Sequence, residues 1–90
     1  EIDIIACDGD VLAFVEVKTR KKDSWLSAMD ALTPQKRKRI FTGAQNFLMT
    51  QEGYERFQPR FDVACVTTEN GMVTSVDYYE NAFSLCDIEY

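Results

Sequence analysis

The 90-residue sequence contains no histidine, which excludes a histidine general base and a histidine metal ligand. It also has no apolar run close to the ~20 residues that a membrane-spanning helix needs. Its cysteines, Cys7, Cys65 and Cys86, are odd in number and lack the spacing of metal ligands. They are typical of buried free thiols in a reducing compartment. We therefore expect a cytoplasmic protein that does not contact a membrane.

The net charge of −5 conceals a strongly basic segment. Residues 18–39 contain eight of the ten Lys and Arg residues against two acids, Asp23 and Asp30. Such charge asymmetry favours an anionic partner, most simply nucleic acid, although a solvated basic loop would show the same pattern. The cations expected to bind nucleic acid are Arg20, Lys21, Lys22, Lys36 and Arg37.

Residues 1–18, EIDIIACDGDVLAFVEVK, are expected to form a β-hairpin with strands over 2–7 and 11–18. The Asp8-Gly9 dipeptide between apolar runs is typical of a two-residue turn. Both faces of this hairpin are largely apolar, which predicts a central hairpin covered on both sides. One face is expected to carry Ile2, Ile4, Ala6, Val11, Ala13, Val15 and Val17.

The turn length decides which charged side chains meet. A turn at Asp8-Gly9 would place Asp3 opposite Phe14 and diagonal to Glu16. Opposite and diagonal residues share a face, so Asp3, Glu16 and Lys18 are predicted to point the same way. A three-residue turn would separate them.

Residues 34–50 are predicted to form the main helix, with Thr33 as N-cap and Pro34 in the first helical position. An apolar stripe would pack on the sheet, formed by Ile40, Ala44, Phe47 and Leu48. Lys36 and Arg37 project onto the same sector, whereas Lys38 and Arg39 point away. These cations oppose the helix dipole at about 0.3–1 kcal/mol each, and either a phosphate backbone or the acids of the hairpin would offset that cost.

A second hairpin is predicted over 61–68 and 72–79, with its turn at Asn70-Gly71. Residues 19–32 are expected to form a mobile loop, and Ala82, Phe83 and Leu85 to pack as a short tail. The whole chain, 1–90, would be one α/β domain with a mixed sheet of about four strands and one main helix. So small a domain buries a limited core, and a homodimer would bury more surface.

Several stretches in order, EIDIIACDGDVLAFVEVKTR, LTPQKRKRI, RFDVACV and ENAF, closely resemble the bacterial YraN family (UPF0102). That family is similar to archaeal Holliday junction resolvases and to PD-(D/E)XK nucleases, whose acids and lysine match Asp3, Glu16 and Lys18. The resemblance implies a restriction-endonuclease-like core. Members of the family carry a helix and a strand before the EID segment, so we expect this core to be truncated at its N-terminus.

The resemblance also implies a Mg²⁺-dependent endonuclease, with Mn²⁺ as an alternative ion, that cleaves DNA, with branched DNA as one candidate substrate. Asp3, Glu16 and the carbonyl of Val17 would bind the ion, and Lys18 would orient water or stabilise the transition state. Glu1 would assist as an accessory group. Three alternatives remain open: a structural ion-pair cluster, a nucleic-acid-binding module that does not cut, and a protein-interaction domain.

Overall fold

The computed structural model describes residues 2–23 and 32–84. Its elements in chain order are β1 (Ile4–Asp8), β2 (Val11–Lys21), α1 (Pro34–Thr50), β3 (Gln58–Glu69) and β4 (Met72–Phe83). The four strands form one sheet in the order β1-β2-β3-β4. The two hairpins are antiparallel, whereas β2 and β3 are parallel across α1. The predicted α/β class and four-stranded mixed sheet are confirmed, and the arrangement is consistent with a restriction-endonuclease-like core.

Helix α1 begins and ends where the sequence predicted. The hydroxyl of Thr33 accepts a hydrogen bond from the N–H of Lys36 at 3.2 Å, and Pro34 occupies the first turn. Ile40 and Ala44 are buried against the sheet. This 17-residue helix is too polar and too short to cross a membrane.

The first hairpin turn lies one residue later than predicted. Asp8 pairs with Val11, so Gly9 and Asp10 form the turn. Gly9 has a φ of +62°, which fits a type II′ turn with glycine at its first central position. The turn still has two residues, so each side chain of the hairpin stays on its predicted face, although each residue of β1 pairs with a different residue of β2 than predicted. By contrast, the Asn70-Gly71 turn is confirmed, with both φ angles positive as a type I′ turn requires.

Side chains alternate between the two faces of the sheet along each strand. The helix face carries Leu12 and Phe14 of β2 and Val63 of β3, which are buried near α1. The opposite face, called the open face here, carries Ala13 and Val15. Within the described residues no helix covers the open face, and Ile4 there is 48% exposed.

The predicted hairpin is therefore not central, because β1 is an edge strand of the described sheet. Ile2 packs with the helix-side core rather than on the open face, since the chain bends at Asp3. Cys7 is exposed, contrary to prediction, whereas Cys65 is buried. Leu85 and Cys86 lie outside the described residues.

Three strands are longer than predicted because pairing with neighbours extends them. β2 runs to Lys21, so residues 19–21 are strand rather than loop, and most of the remaining predicted loop lies outside the described residues. β3 begins at Gln58. β4 continues to Phe83, which is 2% exposed and belongs to the sheet rather than to a tail.

Candidate active site

The end of β1 leaves part of β2 without its antiparallel neighbour. The register stops at Ile4 opposite Val15. Beyond it, the backbone N–H of Val17 donates to the carboxylate oxygen Oδ2 of Asp3 at 2.8 Å. Asp3 thus replaces a strand residue as the acceptor. The N–H and C=O of one residue in a ladder point to the same side, so the carbonyl of Val17 also faces this gap.

Glu16 and Lys18 lie on the helix face of β2, next to Val63 and Cys65 of β3. The ammonium of Lys18 is 2.8 Å from Oε2 of Glu16. The side chains of Lys18 and Glu16 are only 21% and 14% exposed, respectively. A partly buried charge needs an opposite charge nearby, and Lys18 and Glu16 provide this for each other.

Asp3 lies just before the Ile4–Val15 pair, at a bend in the chain, and contacts Val17, whose neighbours in β2 are Glu16 and Lys18. The structure therefore gathers Asp3, Glu16 and Lys18 around Val17, at the end of the hairpin. Their catalytic and metal-binding roles stay predictions. Glu1 lies outside the described residues.

The predicted nucleic-acid-binding residues divide into different environments. Arg20 and Lys22 contact β3 on the helix face, at Thr67 and Glu69 respectively. Lys21 lies between them in sequence, is exposed, and belongs to the open face.

The two helix cations also differ from each other. Lys36 is exposed. Arg37 is half-buried and donates from Nε to the carbonyl of Leu32 at 3.1 Å, with its guanidinium 5.8 Å from the centre of the Phe83 ring. Arg37 therefore anchors the start of α1, which limits its freedom to bind a ligand.

The model of the uncharacterised protein family UPF0102 matches residues 1–66. A UPF0102 protein of Thermosynechococcus vestitus is 42% identical to the chain, over 99% of this chain and 73% of that protein. The chain belongs to the UPF0102 family. A UPF0102 protein of Ectopseudomonas mendocina is 35% identical over 92% of this chain and 68% of that protein. A UPF0102 protein of Nitratidesulfovibrio vulgaris is 40% identical over 97% of this chain and 63% of that protein.

A second polar cluster in this UPF0102 chain was not predicted. Asp62, on the open face, is fully buried. Its carboxylate accepts hydrogen bonds from Nε and Nη2 of Arg60, both at 2.9 Å, and from the hydroxyl of Tyr78. The backbone N–H of Asn81, in an irregular part of β4, also donates to it at 2.8 Å. This cluster joins β3 to β4 where their register shifts.

The electrostatics of the cluster follow from these contacts. Burial alone would raise the pKa of Asp62, but hydrogen bonds from Arg60, Tyr78 and Asn81 outweigh it and leave the pKa below its usual value. Burial and the hydrogen bond to Asp62 raise the pKa of Tyr78 to about 12. Nη2 of Arg60 also lies 3.4 Å from Oδ2 of Asp8 in β1 and 3.9 Å from Oε1 of Glu80 in β4. Arg60, itself in β3, therefore links three strands. In the sequence, the cluster is indicated by the opposite charges of Arg60 and Asp62, which are two residues apart and so share one face of a strand.

Proposed function

We propose that this UPF0102 protein is a Mg²⁺-dependent endonuclease that hydrolyses phosphodiester bonds of DNA, including branched DNA. The observation that carries the proposal is the grouping of two carboxylates, a lysine and a strand carbonyl around residues 16–18. Asp3 is held there by Val17, and Glu16 is paired with Lys18.

The donor atoms fit magnesium in number and chemistry. Mg²⁺ prefers oxygen ligands and keeps several waters, so it needs only one or two carboxylates from the protein. The described residues contain no group of three or more His, Cys, Asp or Glu that could hold a metal ion. Asp3, Glu16 and the carbonyl of Val17 would hold the ion. When bound, it would lower the pKa of a water and offset phosphate charge.

The protein's own groups have separate tasks. The hydrogen bond from Val17 fixes the carboxylate of Asp3, which reduces the entropy cost of binding a ligand. Lys18 is held beside Glu16 and can donate to a phosphate oxygen or to the attacking water as charge develops. A lysine with a fixed direction needs little reorganisation during the reaction.

The second candidate is a nucleic-acid-binding module that does not cut. It is favoured by the exposed cations Lys21 and Lys36, which could bind phosphate without a metal ion. The two candidates share a phosphate-binding surface and differ in metal-dependent cleavage.

The experiment compares Asp3→Asn with Lys18→Ala in the full-length gene product, measuring cleavage with Mg²⁺ and DNA affinity with a chelator. Without the ion, the carboxylate of Asp3 repels phosphate. Asp3→Asn should therefore lose cleavage yet bind DNA as well as the parent or better. Lys18→Ala removes a cation, so both cleavage and binding should weaken. Asp10→Asn, in the exposed hairpin turn, is the control for removal of one acid.

Opposite responses of the two variants in binding support a site built around a phosphate. If all variants bind DNA equally and only melt earlier, the residues form a structural ion-pair cluster and the proposal fails. If the charge responses appear but no metal supports cleavage, the binding module replaces the nuclease.

A further inference from the structure

The two acids of the candidate active site have different partners. Asp3 accepts a hydrogen bond at Oδ2 from the uncharged N–H of Val17. Glu16 instead faces a full positive charge, because the ammonium of Lys18 is 2.8 Å from its Oε2. An ammonium compensates the charge of a carboxylate far more than an amide does. A cation that binds Glu16 must therefore compete with Lys18, whereas Asp3 has no such competitor at its backbone contact.

The ion pair of the site is less screened than an ordinary surface pair. The side chains of Lys18 and Glu16 are 21% and 14% exposed. Those of Lys22 and Glu69 are 57% and 46% exposed, with the charged atoms 3.4 Å apart. Water and salt screen exposed charges strongly and partly buried ones much less. Displacing Lys18 from Glu16 therefore costs more than separating a pair at the surface.

The neighbouring residues of β3 offer Lys18 no other anion. The register places Val63 beside Glu16 and Cys65 beside Lys18, and both are buried. Valine has no polar side-chain atom, and a thiol is only a weak hydrogen-bond partner. If Glu16 turned to a metal ion, Lys18 would stay partly buried without its counter-charge, which is unfavourable. A phosphate oxygen of the substrate would supply the missing negative charge.

We propose that Lys18 competes with the metal ion for the carboxylate of Glu16, so that the site takes up metal and substrate phosphate together. The inference rests on the proposed function, because it takes Glu16 as a metal ligand and phosphate as the substrate group. Without substrate, the ion pair keeps the metal affinity low. When a phosphate becomes the partner of Lys18, Glu16 is free for the ion. Such coupling is reciprocal, so the metal raises the affinity for DNA by the same factor.

The test measures Mn²⁺ binding to the full-length gene product without DNA, from the electron paramagnetic resonance signal of the free ion. Lys18→Met removes the ammonium and keeps an apolar side chain, so the Mn²⁺ affinity should rise by about tenfold or more. Lys18→Arg keeps the ion pair and should bind Mn²⁺ as the parent does. Lys21→Ala, which removes an exposed cation from the open face, should change the affinity by less than about twofold. Circular dichroism checks that each variant is folded.

A second measurement uses the reciprocal effect and does not depend on Lys18→Met. The DNA affinity of the parent is compared with Ca²⁺, which also takes oxygen ligands, and with a chelator at equal ionic strength. The parent should bind DNA more tightly with Ca²⁺, and Glu16→Gln should lose most of that gain.

An Mn²⁺ affinity of Lys18→Met equal to that of the parent, or a gain that Lys21→Ala matches, would overturn the competition. A DNA affinity of the parent that Ca²⁺ leaves unchanged would also overturn it. In either case, Mg²⁺-dependent cleavage by the parent would still support the proposed function. Tighter Mn²⁺ binding by Lys18→Met, from a parent that never cuts DNA, would support the competition and remove the nuclease.

Discussion

The buried carboxylate of Asp62 should contribute a large share of the folding stability. It is fully buried and accepts hydrogen bonds from Arg60, Tyr78 and Asn81. Asp62→Ala would leave all three donors without this acceptor, and removing one member of a buried charge pair costs about 3–5 kcal/mol. Asp8 lies near Arg60 and partly compensates, so we expect about 3 kcal/mol. In a domain of this size that corresponds to a fall in Tm on the order of 15 °C.

The same carboxylate should make stability depend on pH. Its pKa is lower in the folded protein than the value of 3.8 that an unperturbed aspartate has. The stabilisation is therefore fully present above the unfolded pKa and is lost as the pH falls through the folded pKa. The difference in unfolding free energy between the parent and Asp62→Asn should be constant from about pH 7 to pH 5 and shrink below about pH 4.

Urea unfolding followed by circular dichroism across this pH range measures both effects. Asp77→Ala removes an exposed acid of β4 and should change stability by no more than about 0.5 kcal/mol. A destabilisation below about 1 kcal/mol for Asp62→Ala would refute the reasoning, since it would fall within the range of an ordinary exposed hydrogen bond. A difference that persists unchanged at low pH would refute the electrostatic part.

Two further predictions concern Tyr78 and the helix cations. The pKa of Tyr78 is raised to about 12. The hydrogen bond from its hydroxyl to Asp62 should therefore stabilise the fold below about pH 10, and this stabilisation should be lost as the pH rises towards 12. An ultraviolet titration of Tyr78→Phe should lack the last tyrosine transition, and a parent without a transition near pH 12 would contradict the assignment. Lys36→Ala should flatten the salt dependence of DNA binding by about one unit, whereas Arg37→Ala should mainly lower Tm, because Arg37 anchors α1. Equal slope changes from Lys36→Ala and Lys38→Ala would contradict the predicted orientation of the helix.

Features set by local chemistry could be predicted from the sequence. Thr33 fixes the start of α1 by accepting a hydrogen bond at its hydroxyl, and Pro34 does so through its restricted φ. Asn70-Gly71 supplies the two positive φ angles of a type I′ turn. Asp8-Gly9 indicated a turn but not its type, so the first hairpin was placed one residue too early. Even so, the turn has two residues as predicted, so the residues of β1 and β2 keep their predicted alternation between the two faces of the sheet.

Features set by distant parts of the chain could not be predicted. The N–H of Val17 meets Asp3 because β1 ends and the chain bends there, which no local signal indicated. The Asp62 cluster depends on an N–H 19 residues away, in the irregular part of β4. The length of β2 depends on its pairing with β3 as far as Thr68.

The most direct test of the nuclease is the rate of cleavage of labelled duplex, flap and four-way-junction DNA by the full-length protein. A nuclease site at Asp3, Glu16 and Lys18 predicts cleavage with Mg²⁺ or Mn²⁺, none with a chelator, and a fall on the order of 100-fold or more in Glu16→Gln. Asp10→Asn should cleave as the parent does. No cleavage with any metal, or Glu16→Gln cleaving at the parent's rate, would contradict the central claim.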